Sequence, residues 1–312
     1  MIKYTTLRQR PNQFLSFTGL NVEEFDRLSA LIRSDWIIQR AEKLHKGNPS
    51  RKRTLGAGRK CILETLEDQL LLTLVWSRLS LVYFVLEHLF GIDESTVSRT
   101  IQRIHPLLQD RFMLPERLPK KKIRTIQELK EFLPPDITLD DILVDGTEQA
   151  IPRPEKKRLR TAHHSGKKKR FTVKTQIATT RNGLIVHVSK PIPGRTHDYK
   201  LFKASILPQI IPKESRLYGD SGYQGIQKDY PHLHSVIPRK RTRNHTELTR
   251  SEKIRNTKQR KIRVKVEHAF SRLKKYRALA DTYRHSLQNY NQTFRFIANV
   301  VNFRMMQRAQ AV

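Results

Sequence analysis

FTVKTQIATTRNGLIVHVSK, residues 171–190, decides the fold class. Residues 171–180 alternate apolar and polar side chains, the period of a β-strand. Asn182-Gly183 then supplies a hairpin turn into a second strand, LIVHVSK (184–190). On either side lie ILVDGTE (142–148), a short apolar run ending in carboxylates, and two further strand patterns, RLYGDSGY (216–223) and HSVIPRK (234–240). THDYKLFKASI (196–206) reads as a helix between strands, and helices return from about residue 250 through YNQTFRFIANVVNFRMM (290–306). This half of the chain is therefore α/β, with a hairpin-containing sheet first and helices later.

Upstream the period changes to that of helices. Residues 21–44 open with Asn21 and Glu24 in a capping-box spacing, and Phe25, Leu28, Leu31 and Ile32 form one apolar stripe. Helical patterning resumes from 64 to about 110 and breaks once, at Gly91. There LSLVYFVLEHLFGI (79–92) gives way to DESTVSRTIQRIHPLL (93–108), with Asp93 placed as N-cap and Val97, Ile101 and Ile104 as the buried stripe. A helix, a short glycine turn and a second amphipathic helix make a helix-turn-helix candidate at about 60–110. Its second helix would expose Ser95, Ser98, Arg99, Gln102 and Arg103, side chains suited to phosphates and base edges. The basic loop KGNPSRKRTLGAGRK (46–60) reads equally as a solvated linker or an arm on a nucleic-acid backbone. TIQELKEFLPPD (125–136) starts with a second capping box, Thr125 and Glu128, and ends at Pro134-Pro135, which marks a domain boundary. The expected organisation is a helical region over 1–135 and an α/β domain over 136–312.

The charge narrows the partners. The 312 residues carry 61 Lys+Arg against 29 Asp+Glu, a formal net charge of +32, far beyond what solubility requires. A polyanion is the partner such a surface suits, because each cation that neutralises a phosphate releases a condensed counterion. Nine Lys/Arg lie between 153 and 170, among them Lys167, Lys168, Lys169 and Arg170, opposed only by Glu155; fifteen more lie between 239 and 275. These runs read as channels for two DNA segments rather than as solvated loops. The apolar stretch near 70–90 is interrupted by Arg78 and Glu87, so no membrane span is expected. The N-terminal twenty residues lack the apolar core of a signal peptide. One cysteine, Cys61, rules out an intramolecular disulfide and a cysteine-based zinc site. The expectation is a cytoplasmic protein, nucleoid-associated if bacterial.

In so basic a chain the carboxylates are the scarce charge. Asp145 in ILVD and Asp220 in LYGD each follow apolar strand residues and precede glycines, Gly146 and Gly222, so each would stand at the rim of a sheet. A third carboxylate, Glu267, lies in QRKIRVKVEHAFSRLKKYR (259–277) with Arg260, Arg263 and Lys274 near it on a helical projection. Alone it could be an intrahelical salt bridge to Arg263; with cations in such excess it also fits a site where a carboxylate holds a metal and cations hold a phosphate. Carboxylates converging without cysteine suit Mg²⁺ or Mn²⁺, and two such ions serve phosphoryl transfer. Asp198 rivals Asp220 but precedes a helical pattern and reads as an N-cap. Glu148 has an auxiliary or a solvent role. His163 and His164 read as loop histidines near phosphate rather than a metal pair, and Tyr223 as packing against the sheet.

VDGTE, GRTHDYKLF, GDSGYQG and VEHAFSRLKKYR, taken in this order, resemble DDE transposases of bacterial insertion sequences in the group related to Harbinger-type elements. The resemblance covers about residues 60–305. It implies a ribonuclease-H-like mixed sheet flanked by helices, preceded by an all-helical helix-turn-helix domain. It also implies binding of element ends and metal-dependent strand cleavage and transfer on double-stranded DNA, with terminal inverted repeats and target DNA as partners. Asp145, Asp220 and Glu267 would be the catalytic triad and the ligands of two Mg²⁺ or Mn²⁺ ions. Arg263 and Lys274 would contact DNA near the scissile phosphate. The family motif usually has a tyrosine three residues before that arginine; Arg260 stands there instead and would exchange one DNA contact for another. A homodimer or higher oligomer on DNA is implied as well. Two other readings stay open: a domesticated DNA-binding protein without catalysis, and a nuclease that cuts without joining.

Overall fold

A computed structural model of the chain describes residues 1–47, 61–109, 111–113, 139–211, 214–241, 243 and 246–310. Residues 48–60 of the basic loop lie outside the described residues, as do the second capping box, the diproline and the expected boundary at 135/136. The chain divides into two compact units. One comprises Met1–Arg111, Lys275–Leu279 and Arg295–Val312; the other comprises Phe112–Lys274 and Ala280–Phe294.

The first unit is helical. It contains α1 (Tyr4–Leu7), α2 (Pro11–Thr18), α3 (Val22–Gly47), α4 (Leu66–Leu79), α5 (Tyr83–Phe90) and α6 (Glu94–Leu108). The capping box of α3 forms as its spacing predicts: Glu24 N–H donates to Asn21 Oδ1 at 2.6 Å, and Asn21 N–H donates to Glu24 Oε2 at 2.9 Å. Helix α4 is the centre of the unit, with Leu66 and every residue from Asp68 to Ser77 buried. The hydroxyls of Thr73 and Ser77 donate to carbonyls one turn back, at 2.9 and 2.7 Å, which removes the cost of burying them. Between α5 and α6 the chain turns at Gly91, which adopts a left-handed φ of 68°. Asp93 then caps α6, accepting from Thr96 N–H at 3.0 Å, and Val97, Ile101, Ile104 and Leu108 are fully or nearly buried. Ser95, Arg99 and Gln102 are exposed on the opposite face, and Ser98 and Arg103 are half-buried.

The second unit is built on a mixed sheet. Its strands are β1 (Asp141–Ala150), β2 (His164–Ser165), β3 (Arg170–Thr180), β4 (Ile185–Val188), β5 (Ile192–Pro193), β6 (Arg216–Tyr218) and β7 (His234–Val236), in the order β2-β3-β1-β6-β7 with β4 and β5 paired to β3. Strand β1 is antiparallel to β3 on one side and parallel to β6 on the other; β6 and β7 are also parallel. The short helices α7 (Lys157–His163), α8 (Asp198–Ala204), α9 (Leu207–Ile210) and α10 (Ile226–Asp229) lie in the connections, followed by the long α11 (Arg250–Lys274); of the last two helices, α12 (Arg277–Ala280) and α13 (Tyr290–Gln310), residues 277–279 and 295–310 belong to the first unit. The predicted hairpin joins β3 to β4, with Gly183 N–H donating to Thr180 C=O at 2.9 Å.

One sheet face packs Ile142, Val144, Ala178, Val186 and Leu217 against Phe202, Leu207, Ile210 and Tyr223. The alternation along β3 does not leave its polar residues in water: Thr175, Gln176 and Thr179 are fully buried, because the sheet is covered on both faces. Gln176 Nε2 donates to the Tyr223 hydroxyl at 2.8 Å, so Tyr223 is part of this packing, as its sequence position predicts.

Candidate active site

The pairing of β1 with β6 sets the site. The last parallel partners are Leu143 and Tyr218. Asp145 and Asp220 each lie two residues beyond them, at register-equivalent positions past the end of the pairing. β1 itself does not end at Asp145, as its sequence pattern suggested; it continues to Ala150, because β3 goes on pairing with it after β6 has turned away. Asp220 caps the 3₁₀ turn Ser221–Tyr223, where its Oδ1 accepts from Gly222 N–H at 2.7 Å. Both aspartates line one cavity of about 340 Å³, which Glu148, Lys167, Lys168, Lys174, Asp198, Phe270 and Lys274 also border.

Asp145 Oδ1 accepts from Gly146 N–H at 2.8 Å, and Oδ2 lies 3.7 Å from the Arg263 guanidinium. Burial nevertheless pushes the Asp145 carboxyl up to about 6; the Gly146 bond and Arg263 oppose this, and the nearby charges of Asp220 and Asp198 add to it. A buried carboxyl perturbed in this way, beside charged partners in a cavity, is characteristic of functional sites.

Glu267 does not line this cavity. Its side chain is exposed, and among the described residues no three of His, Cys, Asp and Glu are arranged to hold a metal ion. Its place on α11 is still informative. Arg263, four residues earlier, faces Asp145, and Phe270 and Lys274, three and seven residues later, border the cavity. Offsets of −4, +3 and +7 share one helix face, so Glu267 stands between residues that already meet the site. Arg260 is exposed at the start of this stretch.

The remaining sequence expectations separate. Lys167 and Lys168 border the cavity in the turn between β2 and β3, where Lys168 N–H is held by Ser165 Oγ at 3.1 Å; Lys169 and Arg170 are exposed beside them. Asp198 does not cap α8. His197 does, its Nδ1 accepting from Tyr199 N–H at 3.3 Å. This frees the Asp198 carboxylate to turn inward, where Lys174 Nζ meets it at 2.9 Å. Glu148 has no solvent role: it is nearly buried, accepts from Thr172 Oγ1 at 2.9 Å and lies 3.5 Å from Lys174 Nζ. His163 is buried with Nδ1 2.9 Å from Thr172 C=O, whereas His164 is exposed, so they form no metal pair. Sequence reading missed Lys174. The signal for it is a lone cation on an alternating strand, and it becomes legible only once the β1–β3 register sets it opposite Glu148.

A mixed sheet carrying register-matched aspartates beside a lysine-rimmed cavity, together with a separate helical unit built around a helix-turn-helix, defines a two-part nucleic-acid-processing protein. The chain belongs to the DDE superfamily endonucleases: the family model so described matches residues 144–302, and the model of the helix-turn-helix of DDE superfamily endonuclease matches residues 61–114. It is thus a DNA-cleaving enzyme with a DNA-binding domain, of a superfamily that uses divalent metal ions. The chain is similar to the Microchaete diplosiphon protein named "Probable transposase for insertion sequence element IS702", at 27% identity over 93% of this chain and 97% of that one. It is also similar to the Streptomyces albus G protein named "Putative transposase for insertion sequence element IS112", at 26% identity over 87% of each chain. No solved structure matches. Among the described residues, no helix is long and apolar enough to cross a membrane.

Proposed function

We propose that this chain is the transposase of an insertion sequence, cleaving DNA at the element's ends and joining the freed strand to target DNA. The observation that carries the reading is the register-equivalent placement of Asp145 and Asp220 beyond the last β1–β6 pair, on a cavity rimmed by Lys167, Lys168 and Lys274. The cavity gathers carboxylate oxygens with no thiolate among them; His197 also borders it, its Nδ1 already accepting from Tyr199 N–H. This donor set fits a hard ion such as Mg²⁺ or Mn²⁺. Asp145 and Asp220 would hold it, with Glu267 as the third ligand. A pair of such ions would supply the charge that stabilises attacking and leaving oxygens at phosphorus.

The other roles fall to the cations. Arg263 and Lys274, on the same face of α11, would grip the phosphates flanking the scissile bond, and Arg260 would extend that contact by one turn. Lys167, Lys168, Lys169 and Arg170 would hold DNA from the β2–β3 turn. Ser98, Arg99, Gln102 and Arg103 on α6 would meet the terminal inverted repeats, Arg99 and Gln102 being the freest to reach base edges. Two copies of the chain would bring two ends together.

The test is a joining assay. A pre-cleaved duplex bearing the element's end is incubated with plasmid and Mg²⁺, and labelled end joined to plasmid is the expected product. Nicking without joining would make the chain a nuclease. Specific DNA binding without either reaction, in Mg²⁺ and in Mn²⁺, would make it a binding protein that keeps the fold alone.

A further inference from the structure

Lys174 is unusual in this molecule. It projects from the middle of β3 and is only 7% exposed; among the described residues Arg295 is the one other buried Lys or Arg. Its ammonium is saturated by three oxygens: Asp198 Oδ1 at 2.9 Å, the Thr196 carbonyl at 2.8 Å and Glu148 Oε1 at 3.5 Å. Glu148 is itself pinned by Thr172 Oγ1. A buried cation with these partners holds them in one geometry, since release of either carboxylate would leave that charge unpaired.

What it holds is Asp198, and Asp198 lies between the two aspartates of the site. A side-chain carbon at Gly146 would meet Asp198 Oδ1 at 3.0 Å, and one at Gly222 would meet Asp198 Oδ2 at 3.6 Å. The carboxylate thus fills a notch made by the glycine that follows Asp145 and the glycine two residues past Asp220. Asp198 also borders the cavity, whereas Glu267 is exposed on its helix. By position alone Asp198 is the better-placed third carboxylate, yet its Oδ1 is already taken by Lys174.

We propose that Lys174 is a positioning residue that acts as a guard: by binding Asp198 it keeps that carboxylate from joining Asp145 and Asp220 around a divalent ion, and so leaves the third ligand position to Glu267 on α11. The inference rests on the reading of Asp145, Asp220 and Glu267 as ligands. The guard makes the third ligand arrive with the helix that also carries Arg263 and Lys274, so ion capture and phosphate grip are delivered by one element.

The test compares wild type, Lys174→Met, Lys174→Arg, Asp198→Asn, the Lys174→Met/Asp198→Asn double variant and Asp220→Asn. Mn²⁺ binding to the DNA-free protein is followed by electron paramagnetic resonance, and nicking of supercoiled plasmid is measured at saturating Mn²⁺. Lys174→Met removes a repelling charge and releases a competing ligand, so it should bind Mn²⁺ at least about tenfold more tightly while nicking more slowly than wild type. A loosened fold would move both readouts the same way; the guard splits them. The double variant should lose the tight binding and recover nicking, and Lys174→Arg should stay close to wild type in Mn²⁺ affinity. Should Lys174→Met fail to fold, Asp198→Asn carries the test alone. If Lys174 keeps Asp198 off the ion, this change weakens Mn²⁺ binding by no more than about fivefold, the size of a screened charge effect. Weaker or unchanged Mn²⁺ binding in a folded Lys174→Met, or binding lost in Asp198→Asn, overturns the guard. Mn²⁺ binding that survives Asp220→Asn overturns instead the ligand assignment beneath it.

Discussion

Glu267→Gln and Asp220→Asn each lower metal-dependent nicking of supercoiled DNA by about a thousandfold or more, with DNA binding and melting temperature close to wild type: this is the expected result if the carboxylates act together. The two substitutions are chosen to leave the fold alone. Glu267 is exposed on α11, so an amide there disturbs no packing. Asp220 spends one oxygen on Gly222 N–H at 2.7 Å, and asparagine keeps an oxygen for that bond while losing the charge. The loss therefore reports on the charge rather than the turn. Nicking that persists in Asp220→Asn but disappears in Asp198→Asn would make Asp198, not Asp220, the second carboxylate of the site.

The second large effect is on stability, and its sign is unusual. In the folded protein the Asp145 carboxyl titrates at about 6, against an ordinary 3.8, chiefly because it is buried. Below 3.8 the carboxyl is protonated whether the chain is folded or not, and it costs nothing. Between 3.8 and 6 the unfolded chain releases the proton while the folded one retains it, so stability falls as pH rises. Above 6 both are ionised, and the folded protein carries the whole cost, about 2–3 kcal/mol at 1.36 kcal/mol per unit. Asp145→Asn removes that cost and keeps an acceptor for Gly146 N–H, although it takes from Arg263 its partner at 3.7 Å. The variant should therefore melt about 5 °C higher than wild type at pH 8 in the presence of chelator, with the gain fading towards pH 4. Mg²⁺ should raise the wild-type midpoint and leave the variant's unchanged. A variant that melts below wild type at pH 8 would mean that the Arg263 pair outweighs the burial.

Much of the architecture is legible in the residues because local rules agree. The Asn21–Glu24 box, the left-handed turn at Gly91, the Asp93 cap and the stripe Val97–Ile101–Ile104 are short-range features, and the structure contains all of them. The hairpin at Asn182-Gly183 is of the same kind. Where the reading went astray, a neighbour decided. Asp198 sits where an N-cap would be expected, but His197 provides the cap and Lys174 draws the aspartate inward. Glu148 reads as a solvent or auxiliary group from its spacing alone, yet its register partner on β3 is Lys174. The polar half of β3 is buried because a second layer covers it, which no period-two pattern can announce.

The residues by themselves thus determine the element types, the helix-turn-helix, the hairpin and the scarcity of carboxylates in a chain of net charge +32, because those follow from propensity, capping and composition over a few residues. Only the tertiary structure decides that Asp145 and Asp220 occupy matched positions past the β1–β6 pairing, that Asp198 lies between them under the hold of Lys174, and that residues 295–312 are counted with the helical unit rather than with the sheet. Those relations join residues dozens to hundreds of positions apart, and they are settled by strand register and by the need of a buried charge for a partner, which no local stretch of the chain contains.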